Sequence, residues 1–223
     1  MRFPVPSLAL FACLLASGPG LSAHDLATLL TEGHAQLAAA ATGAPGAAQR
    51  AHALFEQALA QTPADASARA GRGLATLALA LEAPLPQKLP LAQAGCADLD
   101  AAVLAAPEDA AIRLHRARAA TLLPRSLRRH TIAEQDFQIL LTMARAAPPS
   151  LTPAMRREIL YHAAAFALAA RHSEAIALLE EAAAIPAASP SDEQVQSMLA
   201  LAHRQLTSPS HAHSEPLPPT PAP

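Results

Sequence analysis

One spacing of residues recurs four times along the chain and constrains its fold more than any other feature. A small residue is followed four positions later by a large one, three positions later by another small residue, and then by a proline. Positions three and four apart share one face of an α-helix, and proline ends a helix, so each occurrence predicts a helix that packs closely on its neighbours. The occurrences are Ala51, Phe55, Ala58 and Pro63; Gly95, Leu99, Ala102 and Pro107; Asp136, Leu140, Met143 and Pro148, with poorer residues; and Ala175, Leu179 and Ala182, with Pro186 one position early.

The composition favours helices packed on helices. Hydrophobic residues make up 52% of the chain, but much of this is alanine, aromatics are only 3%, and tryptophan is absent. Alanine is the best helix former, and its small side chain lets helices approach closely. A β-sandwich or barrel requires β-branched and aromatic strands, which this composition does not supply. We therefore expect an all-α fold without a sheet.

The recurring spacing resembles the second helix of a tetratricopeptide repeat (TPR), and the resemblance covers about residues 26–206. Gly71 matches the small residue that this family carries eight positions after the preceding proline, whereas His115 and Arg156 stand at the corresponding places further on. The prolines are spaced more widely than the family's repeat of about 34 residues, an excess that loops absorb at little cost. The resemblance implies antiparallel helix pairs stacked as a short solenoid, and a generic alanine-rich bundle is the alternative.

Caps and helix breakers divide this domain into nine helices. Thr131 with Glu134 and Ser191 with Gln194 have the spacing of capping boxes, and Thr152 before Pro153 predicts another helix start. Three prolines in residues 83–90 predict a loop, because proline inside a helix removes a hydrogen bond. The predicted helices cover about 24–42, 47–61, 66–81, 91–105, 108–123, 131–146, one that begins at 153, 173–184 and 191–206.

The two ends of the chain are predicted to lie outside the helical domain. Residues 1–23 have the three regions of a secretory signal peptide: basic Arg2, an apolar run over 8–16, and small residues that end at Ala23. The apolar run is too short to span a bilayer, so we expect a periplasmic or secreted protein with no membrane span after cleavage. A lipoprotein that uses Cys13 is a weaker alternative. Residues 207–223 are polar and proline-rich, which predicts a disordered tail.

Nothing in the sequence predicts catalysis or a cofactor. There is no phosphate-binding glycine loop, nucleophile elbow or zinc-protease motif, so no catalytic residue is assigned. Cleavage would leave Cys96 as the one cysteine, which excludes an internal disulfide and favours a small buried core residue. The alternative is a metal-handling or enzymatic protein that uses histidines, with His24 at the mature N-terminus. A metal site needs a defined set of ligands, and the sequence indicates none.

Five arginines form the candidate binding site. The TPR resemblance implies a concave surface lined by the first helix of each pair, and both the sixth and the ninth positions tend to face it. Counted from the residue after each stopping proline, these positions hold Arg69, Arg72, Arg113, Arg116 and Arg157. Arginine binds carboxylates in a bidentate manner, so an arginine ladder would suit an acidic segment of a protein partner. The alternative is that these are ordinary solvated arginines.

These observations favour a non-catalytic interaction scaffold or adaptor of the bacterial cell envelope. The net charge of −2 gives no basic field of the kind that binds nucleic acid. The partner expected is a protein.

Overall fold

The structure, a computed structural model, describes residues 25–187 and 189–207, and these residues are mostly helical. Within them there are nine α-helices, one short 3-10 helix and no strand, so the expected all-α fold is confirmed. The α-helices are α1 (Leu26–Ala41), α2 (Ala47–Gln61), α3 (Ala66–Glu82), α4 (Leu85–Ala105), α5 (Ala110–Leu122), α6 (His130–Ala146), α7 (Pro153–Ala169), α8 (Glu174–Ala183) and α9 (Asp192–Thr207), and the 3-10 helix covers Arg125–Leu127.

The helices form stacked antiparallel pairs, as the TPR resemblance implies. The pairs are α1 with α2, α3 with α4, α5 with α6, and α7 with α8, and α9 packs on α8. Each odd-numbered helix also contacts the next odd-numbered helix, from α1 through to α9. The first helices of the pairs therefore lie side by side, and we call their common surface the odd-helix row.

The residues of the recurring spacing form the core between the helices. In its first occurrence Ala51, Phe55 and Ala58 are all completely buried, and so are Ala175, Leu179 and Ala182 in its last. Small residues at the contact points bring the helix backbones together, and the larger residue fills the space between them. The sequence pattern therefore predicts the helix-packing surface directly.

Two of the three prolines predicted to lie in a loop, Pro86 and Pro90, lie inside α4 in the structure. The loop predicted over 83–90 is wrong, because α4 begins at Leu85 and includes both Pro86 and Pro90. Pro86 is the second residue of the helix, where the backbone N–H has no partner within the helix in any case. Only Pro90 removes an internal hydrogen bond, and α4 continues past it to Ala105.

Capping predictions were confirmed at two helix starts and wrong at a third. The Ser191 backbone N–H donates to Gln194 Oε1 at 2.8 Å, and the Gln194 N–H donates to Ser191 Oγ at 3.2 Å. Thr152 Oγ1 accepts from the Met155 N–H at 3.2 Å. The box predicted from Thr131 does not form, because α6 begins one residue earlier at His130 and its cap makes no side-chain bond.

The two ends of the chain, predicted to be a signal peptide and a disordered tail, lie almost wholly outside the described residues. The predicted signal peptide, residues 1–23, lies outside them, as does the predicted tail apart from Thr207, which ends α9. In the described part of the chain, no helix combines the length and the apolar character needed to cross a bilayer.

Candidate binding surface

Arg72 on α3 forms a bidentate ion pair with Asp98 on α4. Its Nε donates to Asp98 Oδ2 at 2.8 Å and its Nη2 donates to Asp98 Oδ1 at 2.7 Å. The hydrogen bond to Asp98 raises the pKa of Arg72 above its usual value. The Arg72 side chain keeps 31% of its surface exposed, so it joins two helices and still meets solvent.

Arg113 and Arg116 on α5 converge on one carboxylate of α6. Arg116 donates from Nε to Asp136 Oδ2 and from Nη2 to Oδ1, both at 2.8 Å, and Arg113 Nη1 donates to Oδ1 at 2.9 Å. Asp136 is 1% exposed, and Arg113 is buried as well. Arg113 also donates to the Pro107 carbonyl at 2.7 Å, and Arg116 lies 3.3 Å from Asp100. Buried charges are tolerated when they are paired and hydrogen-bonded in this way.

Arg157 on α7 is completely buried and holds the connection between α8 and α9. Its Nη1 donates to the carbonyls of Ile185 and Ala187 at 2.9 Å each, and its Nη2 donates to the carboxylate of Asp192. The Asp192 side chain itself is 85% exposed. Arg157 therefore anchors the first residue of α9 to the body of the domain.

Arg69 lies beside Arg72 at an open cavity. Its Nη2 donates to the Pro63 carbonyl at 2.8 Å. The cavity has a volume of about 360 Å³, and its wall includes both arginines together with Glu56, Leu59, Ala60 and Pro63. Of the five candidate arginines, these two line one open cavity together.

The five arginines thus hold acceptors of their own chain instead of forming a free ladder. Arg72, Arg113 and Arg116 turn toward the second helix of their own pair, and Arg157 turns toward the segment before α9. Aspartates of this chain, namely Asp98, Asp136 and Asp192, already offset the positive charges of four of them. Their role in partner binding stays a prediction.

Side chains that the sequence argument did not single out for binding meet on the odd-helix row. The rings of His34 on α1 and His115 on α5 stack with their centroids 6.2 Å apart. Arg118 on α5 forms a salt bridge to Glu158 on α7 at 3.2 Å, and His162 lies 4.0 Å from the same carboxylate. One of these residues is marked in the sequence, since His115 stands where the TPR pattern has a small residue.

Burial keeps two histidines of the row uncharged at neutral pH. Desolvation, with the nearby charges of His34 and Arg118, lowers the pKa of His115 to about 4. Desolvation and the charge of Arg118 lower the pKa of His162 to about 4 as well. A neutral imidazole offers one donor and one acceptor, and Glu158 compensates the charge of Arg118. These four side chains of the row therefore offer hydrogen bonds and together carry little net charge.

The groups considered for chemistry remain separate in the described residues. Cys96 is free and buried, as expected, and burial raises the pKa of its thiol. Residues 25–187 and 189–207 contain no cluster of three or more His, Cys, Asp or Glu side chains suited to a metal ion. His24, His211 and His213 lie outside the described residues.

The comparison with solved structures supports the fold. The chain is similar to the crystal structure of a thermophilic TPR protein of Thermus thermophilus, with a TM-score of 0.63 and 21% sequence identity. The similarity covers 81% of this chain and 82% of that one. No protein-family model matches the chain, and no curated protein matches it in sequence. The TPR-type fold inferred from the sequence is thereby confirmed.

Proposed function

We propose that the protein is a non-catalytic scaffold of the bacterial cell envelope that binds an extended segment of a protein partner along the odd-helix row. The observation that carries this proposal is the meeting of side chains from three odd-numbered helices, through His34 with His115 and Arg118 with Glu158. An extended segment has unpaired backbone N–H and C=O groups. Neutral imidazoles and a compensated ion pair offer hydrogen bonds to such groups without requiring a charged ligand.

In this proposal Arg69 and Arg72 bind an acidic part of the partner. These two arginines line the open cavity, and Arg72 retains exposed surface even while it is paired with Asp98. A partner carboxylate there would gain charge-assisted hydrogen bonds. Arg113, Arg116 and Arg157 contribute indirectly, since they hold the helices that carry the row.

The assignment to the envelope rests on the signal-peptide pattern of residues 1–23. N-terminal sequencing of the protein from envelope fractions should find His24 as the first residue. Recovery of a soluble cytosolic protein that retains residues 1–23 would contradict the export of the chain.

A capture experiment tests the role of the row. The processed chain is immobilised, exposed to envelope extract, and cross-linked, and captured proteins are identified by mass spectrometry. The row variant combines His115→Ala with His162→Ala, and the control is His172→Ala, since His172 lies in the α7–α8 turn and its side chain is 63% exposed. We expect the row variant to lose the captured partner and the control to retain it. Equal capture by both variants would place the binding surface elsewhere.

The acidic contact has its own test, performed with the partner so identified. Replacing Arg69 and Arg72 by alanine should weaken binding more than Arg50→Ala, because Arg50 lies on α2 and donates to Gln36 and Pro45. Each charge-assisted bond contributes on the order of 1.5–3 kcal/mol when it is desolvated, and the loss should shrink as salt rises. Unchanged affinity in the double variant would remove the acidic segment from the proposal and leave the row intact.

The metal-handling alternative depends on His24 and is tested separately. Calorimetric titration of the correctly processed chain with Cu²⁺ should give no tight stoichiometric site if the protein is a scaffold. Tight binding that is abolished by His24→Ala would favour the alternative.

A further inference from the structure

The turn between α3 and α4 exposes an unusual run of apolar side chains. Leu81, Leu85 and Leu89 have 78%, 83% and 53% of their surface exposed. The prolines at 84, 86 and 90 between and beside them are exposed as well. Single exposed leucines are normal on a soluble protein, but three exposed leucines and three exposed prolines within ten residues form an apolar patch of the kind that marks an interaction site.

A further leucine lies on the same edge of the domain. Leu122 is the last residue of α5 and is 84% exposed. Because α3 and α5 are neighbours in the odd-helix row and run in the same direction, their C-terminal ends lie at one edge. We call this edge, with Leu81, Leu85, Leu89 and Leu122, the leucine edge.

Basic side chains follow the leucine edge from turn to turn. Lys88 donates from Nζ to the Leu81 carbonyl at 2.9 Å, which places its charge within the apolar tip. Exposed arginines continue the series where the other odd-numbered helices end: Arg125 and Arg128 after α5, Arg171 after α7, and Arg204 in the last turn of α9. Three exposed acids, Glu82, Glu134 and Glu174, lie within a few residues of these turns in the sequence. The edge is thus basic on a chain whose net charge is −2.

We propose that the leucine edge docks on an anionic lipid surface. Leucines on a hairpin tip insert among acyl chains at the headgroup boundary, while nearby lysine and arginine contact lipid phosphates. The basic residues favour a membrane over other partners. An apolar tip alone could bind many kinds of surface, whereas positive charges along the same edge complement the negative charge of an anionic lipid surface. This docking would hold the scaffold at a membrane with its odd-helix row free for a partner.

Vesicle co-sedimentation of the processed chain tests the proposal. One set of vesicles contains equal parts phosphatidylglycerol and phosphatidylcholine, and the other contains phosphatidylcholine alone. The edge variant combines Leu85→Ser with Leu89→Ser. The matched control is Leu104→Ser, since Leu104 lies at the opposite end of the same helix and is 84% exposed. A third variant combines Arg125→Glu with Arg128→Glu. Circular dichroism establishes that each variant is folded.

Binding to the anionic vesicles should exceed binding to the neutral ones. The edge variant should bind the anionic vesicles on the order of tenfold more weakly, because two inserted leucines are lost. The Leu104 control should bind like the unmodified chain. The charge-reversal variant should lose at least about fivefold for each charge.

Three results would overturn the proposal. One is the absence of binding to anionic vesicles, and another is an equal effect of Leu104→Ser and the edge variant. The third is concentration-dependent self-association that the edge variant abolishes without any vesicle binding, which would assign the leucines to a second copy of the chain.

Discussion

The two halves of the domain bring their helices together by different means. In α1–α4 the contacts depend on glycine: a Cβ atom added at Gly71 would lie 2.2 Å from the Phe55 ring, and one added at Gly73 would lie 2.8 Å from the Gly95 carbonyl oxygen. In α5–α9 one large apolar cluster is accompanied by the buried ion pairs of Asp136 and by buried Arg157. The first half packs backbone and the Phe55 ring against its glycines, whereas the second half places buried charged side chains at its helix contacts.

This difference shows how one repeated architecture tolerates a divergent sequence. Where the pattern keeps its small residues, Gly95 lets its helix approach the Gly73 carbonyl and Gly71 makes room for the Phe55 ring, so dispersion contacts stabilise the packing. At the position where the pattern has a small residue, α6 carries Asp136 instead, and Arg113 and Arg116 of α5 neutralise its charge. A substitution that breaks the family pattern is therefore matched by charges on the neighbouring helix.

The largest effect is expected at Asp136. Asp136→Ala would leave two cations at the α5–α6 contact without their buried partner, and we expect a loss of about 3–5 kcal/mol in the free energy of unfolding. The matched variant in the first half is Asp98→Ala, which breaks a similar bidentate pair with Arg72 that is partly exposed, and it should cost about 1 kcal/mol or less. Urea denaturation of both variants measures the difference. Similar losses would contradict the view that burial sets the importance of these pairs.

A methyl group at Gly71 should disrupt the first half next most strongly. Gly71→Ala should cost about 3 kcal/mol through overlap with Phe55, reduced by alanine's better helix propensity. In a Phe55→Leu background, where the ring is absent, the same change should cost much less. The double-mutant cycle thus measures the contact itself. An equal cost in both backgrounds would show that the overlap with Phe55 is not the cause.

The sequence predicted those features that are governed by local chemistry. The positions of α2, α3 and the Ser191 capping box follow from prolines and polar residues that act within a few positions. The start of α4 was missed for two reasons. Proline is tolerated in the first turn, where Pro86 lies, and the helix continues past Pro90 although that proline removes one hydrogen bond.

The candidate arginines were chosen by a repeat position, which specifies a place along a helix but not which neighbour it meets. Arg116 faces α6 because Asp136 is there, and that pairing is set by three-dimensional packing. The stack of His34 on His115 joins residues from two helices far apart in the sequence. His115 departs from the TPR pattern and so is marked in the sequence, but nothing near either histidine indicates that the two meet.

Acid should destabilise the domain through the odd-helix row before it affects most carboxylates. The pKa values of His115 and His162 are lowered to about 4, whereas an unfolded histidine titrates near 6.5. The unfolded chain therefore binds more protons between these values, so this contribution to stability is present above about pH 6.5 and is lost as the pH falls toward 4. At about pH 5 we expect each histidine to lower the free energy of unfolding by about 2 kcal/mol.

Denaturation at neutral and acid pH, with His115→Gln and His162→Gln as variants, measures this effect. Each substitution removes one titrating group and should flatten the pH dependence. Nearby Asp109, Arg118 and Glu158 stay in place as the charged surroundings. A pH dependence that is unchanged in both variants would show that the row does not titrate in this way.

The smallest effects are expected at helix caps, and they should again differ between the halves. Asp65 caps α3 through one carboxylate that accepts from the Ala68 N–H at 2.6 Å, and Asp65→Ala should cost about 1 kcal/mol.

Ser191→Ala removes one bond of a capping box at α9, but Asp192 in the first turn is also held by buried Arg157. The anchor keeps the start of α9 in place, so we expect a smaller loss of about 0.5 kcal/mol. The double variant Ser191→Ala with Asp192→Ala should then lose more free energy of unfolding than the two single variants added together. The reason is that either the Ser191 cap or the Arg157–Asp192 pair can hold the start of α9 in part when the other is missing. Denaturant midpoints of the three variants test this, and simple additivity would mean that Arg157 does not support the start of α9.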